Sequence, residues 1–475
     1  MEKYDVIVIG SGAGFNVAYD AVNEGLNVAL LEHGPLGGTC LNTGCIPSKT
    51  LIYPADVIRI LQDAKSVGVE GNISRVDFDF IMKRMRGIVE KERRSMEEGI
   101  RSADNLTWYR KTSEFISDHT LKCGDETVNA PKIVIASGSR EGIPPIEGLK
   151  ETGYIDHVSL LKLDKLPGSL IIIGGGYIGC EYGHFFSALG SDVTLIGRSA
   201  TLMDDEEPEV SNTVTRVLSR DFKVHTNHEA QKVEAEKDKK VVHAKNRNDD
   251  KMYRFEAEEI LVATGRRSNS DILKPERTGV ETDKKGWIKV NKYLETNKPG
   301  IYALGDATGK NMYRHTANYE AEVVSANMLR GERMENDQHA IPHAVFTHPQ
   351  IGGVGMKESE AAEAGYNILV GKAVYMDAAK GYAMAEQDGF VKLIVEKDTR
   401  KILGCSIIGP EAPVMIQQVV YLMNTDSQDL TPLMRAQIIH PTLSEVITKA
   451  VGNLEEPESY HEKLRLEERG REARA

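Results

Sequence analysis

Two segments of this chain carry the same strand–glycine–helix–strand pattern, and together they limit the folds open to it. In the first, the apolar run Tyr4-Asp5-Val6-Ile7-Val8-Ile9 meets the turn Gly10-Ser11-Gly12-Ala13-Gly14. An alanine- and valine-containing helix follows, and the strand Val28-Ala29-Leu30-Leu31 ends in Glu32. In the second, Ser169-Leu170-Ile171-Ile172-Ile173 precedes Gly174-Gly175-Gly176-Tyr177-Ile178-Gly179, a helix from Cys180 to Ala188, and the strand Val193-Thr194-Leu195-Ile196. Glycines in such a turn let backbone approach a pyrophosphate at a helix N-terminus, and a terminal acid can accept from a ribose hydroxyl. A glycine turn alone is a weak signal; with its strands, helix and acid it becomes a strong one. Two such units predict two bound dinucleotides, and 475 residues leave room for two to four domains. Phe15 stands where the first unit's third glycine would fall. Either Gly14 takes over the close packing or the helix sits further from its sheet.

Composition is ordinary for a globular protein, 40% hydrophobic and 27% charged, and the net charge of −12 argues against a general nucleic-acid binder. No apolar run approaches the ~20 residues of a membrane span. A strand beginning by Tyr4 leaves no room for a signal peptide, so a cytoplasmic enzyme is expected. Of five cysteines, Cys123, Cys180 and Cys405 are scattered and are expected to pack unpaired as small apolar residues.

The other two cysteines lie in Gly37-Gly38-Thr39-Cys40-Leu41-Asn42-Thr43-Gly44-Cys45-Ile46-Pro47-Ser48-Lys49. Five positions along a regular helix rise about 7.5 Å, whereas a disulfide wants its Cα atoms roughly 4.4–6.8 Å apart. A Cys40–Cys45 bridge therefore needs a distorted backbone, which Asn42 and Gly44 permit. Pro47 suits a first helical turn and would put Cys45 at a helix N-terminus, where the dipole favours a thiolate. Lys49, four residues on, would share its face. The alternatives are a structural disulfide or two buried thiols. A zinc site would need further Cys or His at matching spacing, and none is near.

This stretch resembles the redox-active disulfide of the flavin-dependent pyridine nucleotide–disulfide oxidoreductases, and other matching segments run to about residue 452. The resemblance implies an α/β chain with two Rossmann-like dinucleotide-binding domains and a C-terminal α+β dimerisation domain. On that reading residues 1–149 form the first part of an FAD-binding domain and 150–275 an NAD(P)-binding domain. Residues 276–340 return to the flavin, 341–455 form the interface domain, and 456–475 are a charged tail, exposed or a solvated helix. FAD would contact Gly10, Gly12, Ala13, Gly14, Glu32, Gly38, Thr39 and Lys49. It would also contact Ser137-Gly138, which resembles the family's Ala-Thr-Gly strand end, and Gly305-Asp306, whose aspartate binds the ribitol chain. The nicotinamide coenzyme would contact Gly174, Gly176, Tyr177, Ile178, Gly179, Arg198 and Gly265.

The same resemblance assigns chemistry. Cys40 and Cys45 cycle between disulfide and dithiol. His440 and Glu445, in His440-Pro441-Thr442-Leu443-Ser444-Glu445, match the family's proton-transferring dyad, which faces the partner subunit's disulfide and so implies a homodimer. Lys49 and Glu181 match a pair beside the flavin, and Tyr177 matches a tyrosine that covers it. No metal is implied. Where NAD-specific members end the second strand with a carboxylate, this chain has Gly197-Arg198-Ser199. A guanidinium attracts a 2′-phosphate, so NADP(H) is favoured and NAD(H) possible, although acids run from Asp204 to Glu207.

For the substrate, the disulfide and His440 motifs tip towards dihydrolipoamide dehydrogenase. The alternative is a reductase of a low-molecular-weight disulfide, which Arg198 and the mycothione-reductase-like His315-Thr316-Ala317-Asn318-Tyr319-Glu320 favour. A flavin transhydrogenase or diaphorase with an incidental disulfide, and a non-enzymatic subunit, are the rivals from other classes. Residues from Phe78 to Arg101, with Ile81, Met82, Met85, Ile88 and Val89 on a helical period, predict a packed surface helix.

Overall fold

The computed structural model describes residues 1–472. Each glycine unit builds a parallel sheet. The first runs Ile301–Ala303, Lys132–Ile135, Val6–Ile9, Val28–Leu31, Leu106–Tyr109, every neighbour parallel. The second runs Lys223–His225, Asp192–Ile196, Ser169–Ile173, Glu259–Val262, also parallel. Strands covered on both faces can be apolar at every position. Val6, Ile7 and Val8, like Leu170, Ile171 and Ile172, expose no surface. Because Ile301–Ala303 joins the first sheet after the second is complete, the chain leaves the first unit and returns to it.

The first helix does approach its sheet. A side-chain carbon at Gly14 would lie 2.8 Å from Ala136 Cβ and 3.0 Å from Val8 Cγ1. Gly14 is therefore the close-packing glycine, and Phe15 turns aside to pack half-buried against the core on that side of the sheet. At the turn itself, Gly10 has φ +98°, and a Cβ there would strike the Ala136 carbonyl at 2.2 Å. Only glycine fits.

Beside the second parallel sheet lies a three-stranded antiparallel one, His228–Glu236, Lys239–Asn246 and Met252–Ala257. The C-terminal portion is a five-stranded sheet, Pro342–Val345, Ile351–Gly355, Ile402–Ile408, Phe390–Glu396 and Ile368–Val374, antiparallel throughout. Helices Ala412–Met423 and Ser444–Gly452 bury their apolar residues against it. The architecture is thus two parallel α/β units with an α+β unit after them. The helix Phe78–Arg101 forms as its periodicity predicts. Asp77 caps it by accepting from Phe80 N–H (3.0 Å), and Ile81, Met82, Met85 and Val89 pack on Leu51, Ala55 and Ile58.

The charged C-terminal segment departs from expectation. Pro457–Glu472 is a helix, but its first turn is docked rather than solvated. Tyr460 is 5% exposed, packs with Ile368, Val370 and Ile394, and donates to Glu209 (2.8 Å). Its ring lies over Lys392 Nζ, which is bonded to Glu207 (3.0 Å), Glu209 (2.9 Å) and Glu358 (2.7 Å). The surrounding charge hid Tyr460 and Leu464, an i,i+4 apolar pair. Lys392 is 1% exposed, so Lys392→Met would leave three carboxylates without their common cation. Removing one partner of a buried ion pair costs about 3–5 kcal/mol, and urea unfolding should show a loss of that size. An unchanged midpoint would mean the cluster carries no net stabilisation.

Candidate active site

The cysteine stretch folds as two helices with a break between them. Gly38–Asn42 is a single short helix, and Cys45–Asp63 starts afresh at Cys45 with Gly44 before it. Asn42 holds the first helix in place by donating to the carbonyls of Leu36 (2.7 Å) and Gly38 (3.0 Å). The break at Thr43-Gly44 is the distortion that five-residue spacing demanded, and it brings the Cys40 and Cys45 side chains into hydrogen-bonding contact. Both are thiols in this structure, Cys45 exposed and Cys40 half-buried.

The two sulfurs are electrostatically unequal. The hydrogen bond from Cys40 lowers Cys45 to about 6, with Lys49, the helix N-terminus and Arg314 adding to the effect against burial. The same bond pushes Cys40 far up, since its proton is the one shared. At neutral pH Cys45 is therefore the thiolate and Cys40 the proton-bearing partner. Arg314, on the first turn of the helix Arg314–Leu329, acts on both thiols and has no ion-pair partner among the described residues. Sequence reading missed it because nothing links residues 45 and 314 before folding.

Lys49 points from the redox helix to Glu181 on the helix Tyr177–Leu189, its Nζ 2.9 and 2.8 Å from the two carboxylate oxygens. Glu181 is 3% exposed and also accepts from Phe346 N–H (3.0 Å), while Lys49 Nζ lies 4.7 Å from the centre of the Phe346 ring. An ion pair this enclosed is no loose surface contact. Tyr177 stands partly exposed at the start of the same helix, within electrostatic range of Cys45, Glu181, Arg266 and Asp306. Cys40, Cys45, Lys49, Glu181 and Tyr177 thus converge, with Phe346 and Arg314 added by the fold.

Both glycine turns fit a dinucleotide. Neither following helix has a side-chain cap or an acid in its first turn, so their positive dipole ends face the turns; in the first, Phe15 and Asn16 N–H donate to the carbonyls of Gly12 (3.3 Å) and Ala13 (3.0 Å). A Cβ on Gly12 would meet nothing nearer than Arg314 Nη1 at 3.8 Å, and one on Gly138, Gly176 or Gly265 would meet nothing within 4 Å. Gly38 brings the cysteine segment onto Gly12, and Thr39 lines a cavity of about 520 Å³ with Ser139, Arg140 and Arg266. Glu32 holds the first turn closed, accepting from Ser11 N–H (3.0 Å), Ser11 Oγ (2.9 Å) and Gly34 N–H (2.7 Å). Asp306 accepts from Ser139 Oγ (2.5 Å) and lies 3.4 Å from Arg266 Nε. Ser137 offers its carbonyl to Asn269 (2.8 Å). Gly305 N–H donates to Glu320 (2.6 Å), whose carboxyl burial pushes upward.

At the end of the strand Asp192–Ile196, Arg198 is exposed. In the acidic run beyond it, Glu206 is paired with His343 (2.8 Å) and Glu207 with Lys392, while Asp204, accepting from Ser199 Oγ (2.7 Å), and Asp205 stay exposed.

His440 and Glu445 pair as a dyad, Nδ1 to Oε1 2.9 Å, and Thr442 N–H donates to the other carboxylate oxygen (3.0 Å). The hydrogen bond to His440 and that from Thr442 hold Glu445 below the usual carboxylate range. The imidazole is 69% exposed, and no contact joins it to the thiols of its own chain.

Two dinucleotide cradles around a dithiol with one stabilised thiolate define a pyridine-nucleotide-linked, flavin-dependent dithiol–disulfide enzyme. The chain belongs to that family: "Pyridine nucleotide-disulphide oxidoreductase" matches residues 4–322, and that family's dimerisation domain matches residues 341–451. Mycothione reductase from Mycobacterium tuberculosis is 34% identical over 472 residues, covering 96% of this chain and 100% of the relative. Dihydrolipoyl dehydrogenase from Bacillus subtilis is 32% identical over 458 residues, covering 94% and 97%. Among solved structures, the HOCl-induced flavoprotein disulfide reductase RclA from Escherichia coli superposes with a TM-score of 0.84 at 28% identity, covering 94% and 99%. The chain is an FAD-binding, NAD(P)H-linked disulfide oxidoreductase. Among the described residues no helix is long and apolar enough to cross a membrane.

Proposed function

We propose that this enzyme draws electrons from NADPH to reduce a low-molecular-weight disulfide, with Cys40 and Cys45 as its redox pair. The observation that carries the coenzyme preference is Arg198, exposed where a carboxylate would exclude a 2′-phosphate. FAD, which Gly10, Gly12, Gly14 and Asp306 would hold, would supply a two-electron relay between the coenzyme and the cysteine pair. The residues do the rest. Lys49, held by Glu181, places positive charge beside the Cys45 sulfur. His440 of a second copy takes the proton from Cys40, whose sulfur attacks the substrate disulfide. One half of the substrate becomes bonded to Cys40; the other leaves and takes its proton from His440. The Cys45 thiolate then attacks the Cys40 sulfur, closing the Cys40–Cys45 bond and freeing the second half.

The dyad's outward exposure supports a homodimer, and so does apolar surface on the redox helix, where Tyr53, Ile60 and Leu61 are exposed at 64, 62 and 43%. A dihydrolipoamide dehydrogenase runs the same steps in reverse. The near full-length similarity to the Bacillus subtilis enzyme favours that second reading. Stopped-flow kcat/KM values for NADPH and NADH, each with lipoamide, glutathione disulfide, CoA disulfide and mycothiol disulfide, decide between them. The proposal expects NADPH to be preferred by about tenfold or more, the range set by a charge-assisted contact to the 2′-phosphate. NADH preference with turnover on lipoamide alone overturns it.

A further inference from the structure

The hairpin joining Lys239–Asn246 to Met252–Ala257 turns back towards the strand Asp192–Ile196, and its turn carries Arg247. Arg247 is fixed at two points. Its backbone N–H donates to Asn227 O (2.7 Å), and its Nη1 donates to the Arg198 carbonyl (2.9 Å). Asn227 N–H donates in turn to Ser199 O (2.8 Å), and His228 N–H to Gly197 O (2.9 Å). The three residues after the strand are thus strapped to two other segments, with Arg247 seated on the middle one.

A guanidinium presents five N–H donors in a rigid fork, and one carbonyl uses only part of it. The acids of the same turn are already engaged, Asp250 with Lys245 (2.6 Å) and Asp249 with Lys251 (3.4 Å). Among the described residues Arg247 has no ion-pair partner. Asp204, the nearest acid along the chain beyond the strand, is bonded to Ser199 Oγ. The Arg247 guanidinium is therefore held against the backbone of exposed Arg198, one residue past Gly197, which abuts Gly175 of the second glycine turn, and neither arginine has an ion-pair partner among the described residues. Two positive residues anchored to one short segment favour a doubly charged ligand that both can bond.

We propose that Arg247 is the second guanidinium of the coenzyme's 2′-phosphate site and determines specificity together with Arg198. This rests on the NADPH reading above and adds to it a residue from a different structural element. The ligand it takes is a phosphomonoester on the adenosine ribose, and the nicotinamide end plays no part.

Isothermal titration of the FAD-loaded protein with 2′,5′-ADP and with 5′-AMP tests this without turnover. Wild type should bind 2′,5′-ADP more tightly than 5′-AMP. Arg247→Gln should weaken 2′,5′-ADP by roughly ten- to a hundredfold, the range expected for a lost charge-assisted contact, and leave 5′-AMP unchanged. Arg247→Lys should fall between, keeping the charge and losing the fork. Unchanged 2′,5′-ADP affinity in Arg247→Gln overturns the assignment. So does an equal loss for both nucleotides, which would mean the turn only props the strand end. A wild type indifferent to the 2′-phosphate fails differently: it sinks the NADPH reading, and this one with it.

Discussion

Cys45→Ser should abolish disulfide turnover, by about a thousandfold or more, because a member of a catalytic unit is lost rather than weakened. The variant should fold, since Cys45 is exposed and packs no core. The informative companion is Cys40→Ala. The hydrogen bond from Cys40 is the largest influence holding Cys45 at about 6. In the reduced wild-type protein, iodoacetamide should modify Cys45 with a rate that climbs as pH rises through about 6 and then levels, because only the thiolate reacts. In Cys40→Ala that midpoint should move upward, because the largest favourable influence is gone and burial, which opposes the thiolate more strongly than Lys49 favours it, remains. A wild-type midpoint at the ordinary value would refute the inequality between the two sulfurs. Disulfide turnover surviving in Cys45→Ser would refute the redox pair itself.

That inequality was half legible in sequence. Pro47 and Gly44 announced a helix starting at Cys45, and Lys49 at i+4 announced its neighbour, because these are local relations. The two parallel sheets were legible for a similar reason: strands buried on both faces write themselves as apolar runs, and each glycine turn follows its strand directly. What escaped were contacts between distant segments. Arg314 reaches the thiols and Arg247 reaches Arg198 only because sheets and hairpins stack them, and an arginine in a polar hairpin turn looks like any solvated residue. Charge patterns hid contacts in two places. Of the acids from Asp204 to Glu207, Glu206 and Glu207 are paired with His343 and Lys392, while Asp204 and Asp205 stay exposed. The C-terminal helix read as solvated, yet Tyr460 is buried and donates to Glu209. Phe15 resolved in favour of Gly14, since the close contact needs one missing side chain facing Ala136 and Val8, whichever residue supplies it.

His440→Gln should lower kcat by about a hundred- to ten-thousandfold, the range for removing a positioned general acid–base, and should leave the alkylation profile of Cys45 unmoved. Glu445→Gln should fall short of that, because the imidazole survives and loses the carboxylate that orients it. The test with the most leverage mixes damaged subunits. On the proposed mechanism an exposed dyad with no contact to its own thiols acts on those of another copy. A dimer pairing one Cys45→Ser chain with one His440→Gln chain then holds one site with both defects and one site with neither. Each variant alone should be severely impaired, but the mixed dimer, purified through two different affinity tags, should regain one working site of two. Were catalysis confined within single chains, every site in that mixture would carry a lesion, and activity would not exceed the sum of the parents. Regain would place the proton donor and the attacking sulfur on opposite subunits. It would also explain why the redox helix leaves Tyr53, Ile60 and Leu61 bare on its outer face.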